Sequence, residues 1–135
     1  LKPGKTNAGK MVAAPQGGDS GSTQQKKPVF SLEFLRRKYC LSCCDAVEKV
    51  AFADRIHELS QLTWAEIAAA NRHKQGFEVI AHDSITGDSV PGHITDDTNL
   101  LSFRFCGMKP MVGYREGRIF HVLWFDRDFT LYDHG

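Results

Sequence analysis

The stretch "GYREGRIFHVLWFDRD", residues 113–128, sets an imidazole in the middle of a strongly apolar run. Histidine is the side chain whose ordinary range places proton transfer near neutral pH, so His121 is a candidate general acid or base. What it can do depends on its neighbours. The two-residue "EG" at 116–117 and the short "CGMK" at 106–109 read as hairpin turns joining "LLSFRF", "PMVGYRE" and "RIFHVLWFD". Pairing Arg115 with Arg118 sets Tyr114 opposite Ile119, Gly113 opposite Phe120 and Val112 opposite His121. Centring the preceding hairpin on Met108 sets Arg104 opposite Val112 and Ser102 opposite Tyr114.

Cross-strand partners share a face of the sheet, and faces alternate along each strand. One face is then predicted to hold Phe103, Phe105, Met111, Gly113, Phe120, Val122 and Trp124, which is a core. The other, half-open, holds Ser102, Arg104, Val112, Tyr114, Ile119, His121 and Leu123. Arg104, Tyr114 and His121 thus meet on one surface. That trio suits phosphodiester chemistry. An imidazole moves protons, a guanidinium fixes a phosphate through two hydrogen bonds, and a phenol positions a phosphate or a 2′-hydroxyl. RNA carries its own nucleophile, so no cofactor or metal is expected. Lys109, Arg115 and Arg118, at strand ends, are expected to hold the RNA backbone. Tyr132 and His134 in "FDRDFTLYDHG" are further catalytic candidates if a short last strand, "FTLY", returns beside the sheet. A structural reading competes: half-buried His and Tyr in sheets are commonly hydrogen-bonded packing residues, with Arg104 paired to Asp126 or Asp128. "DRD" at 126–128 reads as a turn opening with Asp.

These strands need elements to position them. "PVFSLEFL" alternates with period two and predicts a short first strand, followed by the basic step "RRKY". A helix is predicted from Cys44 or Asp45, with Asp45 favoured in the first turn. Val47, Ala51, Phe52, Ile56, Leu59 and Leu62 supply its apolar stripe. Thr63 followed by Glu66 is a capping-box pattern that opens a second helix, with Trp64, Ile67 and Ala68 facing inward and Asn71 as a stop. Two helices joined so tightly predict an antiparallel hairpin over the core face. "GFEVI" reads as another strand, and residues 81–99 as a turn-rich irregular loop. The fold class is α+β: a short N-terminal strand, a helix hairpin, then a sheet of three or four antiparallel strands.

The chain has 135 residues, enough for one domain with one core, and its 41% hydrophobic and 24% charged content is that of a soluble globular protein. No run is apolar enough for a membrane span, so no membrane partner is expected. The basic start lacks an apolar segment, so no secretory signal is expected, and the first residue, Leu1, suggests a fragment or processed product. Residues 1–28 are rich in Gly, Ser, Gln, Lys and Pro and carry five Lys against Asp19; they predict a disordered basic tail or linker ahead of a single domain at 29–135. That domain is slightly acidic, which does not advertise nucleic-acid binding. The four cysteines include "CLSCC" at 40–44. A structural zinc site needs a second ligand pair, so buried thiols around a helix start are the preferred reading.

The element order, the basic step after the first strand, "LSQLTWAEI" and "FRFCGMKPMVGYREGRIFHVLWFDRDFTLYDHG" resemble the RelE/ParE-like toxins of prokaryotic toxin–antitoxin systems, including phage-associated members. The resemblance covers roughly residues 29–135 and is specific only in the "GYREGRIFHVLWFD" region. It implies a small cytoplasmic toxin, a metal-independent endoribonuclease that cuts mRNA, in some members on the ribosome, and an antitoxin protein that blocks the site. By residue type and place, Arg104, Tyr114 and His121 match that pattern, with Tyr132 or His134 as terminal candidates. The acidic domain and the long 81–99 loop depart from it. The alternative expectation is a non-catalytic protein-binding module, phage-encoded, that uses the open sheet face.

Overall fold

The computed structural model describes residues 23–70 and 75–134. The fold is α+β. Strand β1 (Val29–Ser31) leads through two short 3-10 turns to helix α1 (Ala46–Leu59) and helix α2 (Trp64–Ala69). Strands β2 (Glu78–Ile80), β3 (Leu100–Cys106), β4 (Lys109–Glu116) and β5 (Ile119–Phe125) follow. All five strands form one sheet in the order β1-β5-β4-β3-β2. It is mixed, not purely antiparallel, because β1 lies parallel to β5. The segment "FTLY" forms no strand.

Both helices start where their capping residues put them. Asp45 accepts from the Glu48 amide while the Glu48 side chain accepts from the Asp45 amide. Thr63 and Glu66 do the same for α2. Each reciprocal pair satisfies backbone donors that a helix start leaves open. The α2 helix has six residues, about 9 Å of rise, too short to lie along α1 as an antiparallel hairpin. It acts as a plug: Trp64 and Ile67 are buried against the sheet, and the Trp64 indole donates to the Arg118 carbonyl at 3.0 Å. Asn71, the expected stop, lies outside the described residues, as do residues 1–22 of the expected tail. Residues 23–28 of that tail are tied to the domain. The Trp64 and Ala65 amides donate to the Lys26 and Gln24 carbonyls, and Arg115 donates to Gln24 and Thr23.

The hairpin registers differ from expectation by two residues. Both turns place glycine at the first loop position with positive φ, Gly107 at 60° and Gly117 at 61°. The pairs closing them are Cys106 with Lys109 and Glu116 with Ile119. Tyr114 therefore faces His121, Ser102 faces Val112, and Arg104 faces Pro110. An even shift moves partners without exchanging faces. One face does change locally. Gly113 pairs with Val122 but Val112 pairs with Trp124, so Leu123 is an extra residue in β5. This bulge turns Trp124 to the second face and Phe125 to the first. Gly113 permits the close approach, since a Cβ there would overlap the His121 carbonyl.

The first face carries the main core, with Phe103, Met111, Phe120 and Val122 beneath Phe52, Leu59 and Trp64. The second face is not half-open. Leu100, Val112, Leu123 and Trp124 pack under Tyr39, Ile94, Leu131 and Tyr132. The loop at 81–99 is held over that face by Asp88, which accepts from the Trp124 indole and from Arg36, each at 3.0 Å. Two apolar faces require two covers, and the long loop with the C-terminal segment supplies the second.

Candidate functional site

The second sheet face brings the five catalytic candidates to two separate places. At one end Tyr114 and His121 are direct cross-strand partners, their rings stacked at 4.9 Å and 25°. His121 Nε2 lies 2.9 Å from Glu116 Oε1, His93 Nε2 lies 3.2 Å from the Tyr114 hydroxyl, and Phe34 packs on His121 at 5.1 Å. His121 is 4% exposed and Tyr114 8%. Burial, with Glu116 and Glu33 nearby, raises the Tyr114 pKa above the ordinary phenol. Among the described residues His121 Nδ1 has no hydrogen-bond partner. This is a packed polar cluster with little access for a substrate.

Arg104 is not there. It lies four residues along β3 from Leu100, the partner of Tyr114, which is about 13 Å at strand rise. It lines a different feature, a cleft of about 370 Å³ shared with Ser102, Glu78, Tyr132, Asp133 and His134. That volume falls in the range of small-ligand sites, roughly 300 to 1,000 Å³. Among the described residues nothing hydrogen-bonds or ion-pairs the Arg104 guanidinium, so the expected pairing with Asp126 or Asp128 does not form.

Asp126 has other work. It is fully buried at the end of β5, and its amide donates to the Pro110 carbonyl, in the row of Arg104. Asp126 Oδ1 accepts from the Thr130 and Leu131 amides, and Oδ2 from His134 Nε2 at 2.8 Å. An ionised carboxylate can only accept, so Nε2 is the donor to Asp126 and Nδ1 is the ring nitrogen left for other contacts. The Tyr132 ring packs on His134 at 4.0 Å, tilted by 31°, and its hydroxyl lies 3.1 Å from Ser102 Oγ. The segment read as a short last strand is thus a loop locked by one aspartate, and it carries Tyr132 and His134 to Arg104.

An ion cluster ties α1 to the ends of β4 and β5. Glu48 is 1% exposed and accepts from Lys109 Nζ at 2.6 Å and Arg127 Nε at 2.8 Å. Burial alone works to raise its pKa, but the bonds from Lys109, the Asp45 amide and Arg127 prevail and hold it at about 2. Lys109, expected on RNA, is committed to this carboxylate. Arg115, also expected on RNA, packs on the Trp64 ring at 4.4 Å and bonds to Thr23 and Gln24. Arg118 is exposed and donates to the Lys27 carbonyl. None of the three lines the cleft.

Of the cysteines, Cys44 is buried at the start of α1 and Cys43 exposed, and all four are free thiols. Burial, reinforced by Glu48, pushes the Cys44 thiol up to about 11. Among the described residues no three His, Cys, Asp or Glu side chains gather as metal ligands. Comparison with known proteins finds no matching family model, no matching curated protein and no matching solved structure.

Proposed function

We propose that this protein is a metal-independent endoribonuclease of the toxin type, and that its centre is the cleft of Arg104, Tyr132 and His134. The observation that carries the reading is that these three side chains line one cavity, with His134 oriented by the buried Asp126. His134 Nδ1 takes the proton of a 2′-hydroxyl, whose oxygen attacks the adjacent phosphorus. The bond from phosphorus to the 5′-oxygen breaks, and that oxygen takes the Tyr132 proton. Arg104 stabilises the charge that builds on the phosphoryl oxygens. The products are a 2′,3′-cyclic phosphate and a 5′-hydroxyl, and His134 and Tyr132 reset through solvent. Asp126 is a positioning residue. Glu78 and Asp133 also line the cleft. A phosphate therefore rests mainly on Arg104, which suits a modest affinity raised by a larger assembly such as a ribosome.

Expression of the wild type is expected to arrest growth, and purified protein to cleave single-stranded RNA, with or without ribosomes, to cyclic-phosphate ends in the presence of a chelator. Arg104→Ala and His134→Ala should abolish both. A wild type that neither cleaves RNA nor arrests growth ends the proposal. Exposed Val47 (73%) and Val50 (62%) on α1 favour a second reading, a module that binds a protein partner such as an antitoxin through that helix. The sheet face expected for that role is filled. Loss of a co-purifying partner in Val47→Asp/Val50→Asp, with cleavage intact, would assign the helix to binding and the cleft to chemistry.

A further inference from the structure

Phe129 has the wrong backbone for its side chain. Its φ is 58°, the only positive value among the described non-glycine residues. Bulky residues avoid that region because Cβ crowds the backbone. The residue is also 44% exposed, so burial does not explain it. The neighbours do. Asp126 and Leu131 are both fully buried. Asp126 grips the Thr130 and Leu131 amides, and the Leu131 carbonyl accepts from the Thr86 and Gly87 amides. With both ends of a short loop anchored, the residue between must bend outward and present its ring.

The ring is presented into the cleft. Phe129 lines it, meets the His134 imidazole edge-on at 5.1 Å, and shares the cavity with Met108 from the β3–β4 turn, itself 66% exposed. Two exposed apolar side chains, one a rigid aromatic, thus border the pocket that holds Arg104. A phosphate has no use for them, whereas an unpaired base beside that phosphate does. Aromatic faces stack splayed bases of any sequence, and thioethers pack well on aromatic surfaces.

We infer that Phe129, with Met108, clasps the nucleobase next to the scissile phosphate, so that the protein takes single-stranded but not double-stranded RNA. The inference rests on the ribonuclease reading and deepens it: strain at Phe129 keeps the stacking surface in place before substrate arrives.

The test measures binding of a short 2′-fluoro RNA, which lacks the nucleophile and cannot be cut, by fluorescence anisotropy at fixed salt. The single strand is compared with its duplex, on wild type, Phe129→Gly and Phe129→Trp. Glycine removes the ring and suits the backbone, so its folding is retained and is checked by thermal melting. The expected result is a loss of about tenfold or more in single-strand affinity for Phe129→Gly, affinity near wild type for Phe129→Trp, and weaker duplex binding by wild type. Equal binding by wild type and Phe129→Gly, loss in Phe129→Trp, equal binding of duplex and single strand, or no binding of the probe by wild type each overturns it. Cleavage is not the readout, so a protein that binds as described yet never cuts natural RNA would sink the ribonuclease reading and leave the clasp standing.

Discussion

One sheet face holds two clusters built from nearly the same residue types. At one end His121, Tyr114 and Glu116 join His93 and Phe34; at the other His134, Tyr132 and Asp126 join Ser102 and Arg104. In the first, the histidine is buried and its carboxylate partner exposed, Glu116 at 71%. In the second, the carboxylate is fully buried and the histidine reaches a cavity. The inversion matters more than the inventory. A buried carboxylate that orients an accessible imidazole leaves one ring nitrogen for a substrate. A buried imidazole that holds an exposed carboxylate mainly fills space.

The largest effect expected from this contrast is on cleavage. Arg104→Ala and His134→Ala should each lower the RNA cleavage rate by about 100-fold or more, with thermal melting near wild type. His121→Ala should leave the rate of the folded fraction unchanged while costing about 2 to 3 kcal/mol of stability, because it empties a packed site. Initial rates and urea melts on the three variants decide it. A folded but inactive His121→Ala beside an active His134→Ala would exchange the roles of the two ends.

Stability should respond most at the ion cluster that ties α1 to the sheet. Lys109 and Arg127 flank the row of Pro110 and Asp126, and Glu48 holds both. Glu48→Ala leaves two cations without their buried partner and should cost about 3 kcal/mol. The same carboxylate sets an acid limit. Its pKa is lowered from 4.5 to about 2 in the folded state, so its contribution is full above pH 4.5 and is lost as pH falls toward 2. Urea midpoints across that window should drop steeply in wild type and less steeply in Glu48→Ala. Equal slopes would remove Glu48 from the acid response.

Much of this arrangement was legible in the chain, and the reasons for the misses are specific. The capping box at Thr63 follows from short-range rules, as do the faces of β3 and β4, whereas Asp45, expected inside the first turn, is the N-cap with a capping box of its own to Glu48. The exact register did not follow, because each turn was centred one residue away, which moves cross-strand partners by two; an even error leaves the alternation intact while breaking the Arg104–His121 neighbourhood. The bulge at Leu123 left no pattern of its own, although Gly113 opposite it was a signal of close backbone approach. The cover over the second face was hidden because residues 81–99 read as polar turns, yet Ile85, Val90 and Ile94 were there to pack. Asp126 was read as a turn residue, which it is. That its second oxygen would orient His134 depended on how the loop closes, and no local rule specifies that. Phe129 gave no sign, since positive φ in a phenylalanine is imposed by its anchors.

A smaller effect tests the closed end. Gly113→Ala places a methyl against the His121 carbonyl, where the backbones of β4 and β5 are in contact. Overpacking of this kind should cost about 1 to 3 kcal/mol. Because the strain falls between Tyr114 and Val112, the cleft should be spared and cleavage by the folded protein unchanged. A Gly113→Ala protein that melts normally but no longer cuts RNA would tie the two ends together.

The smallest effect concerns Phe129, and its sign is informative. A left-handed backbone costs a residue with Cβ about 1 to 2 kcal/mol, which glycine does not suffer. Against that, Phe129→Gly loses the burial of a half-exposed ring, about 1 kcal/mol, and its edge contact with His134. Glycine also has more unfolded-chain entropy to lose. The terms nearly cancel, so the variant should melt within about 1 kcal/mol of wild type. An ordinary packing residue would behave otherwise, since truncating an aromatic that supports the fold costs about 3 to 5 kcal/mol. A loss of that size in a denaturant melt would mean the ring braces the loop, and the strained backbone would then serve folding at the open end just as stacking serves it at the closed one.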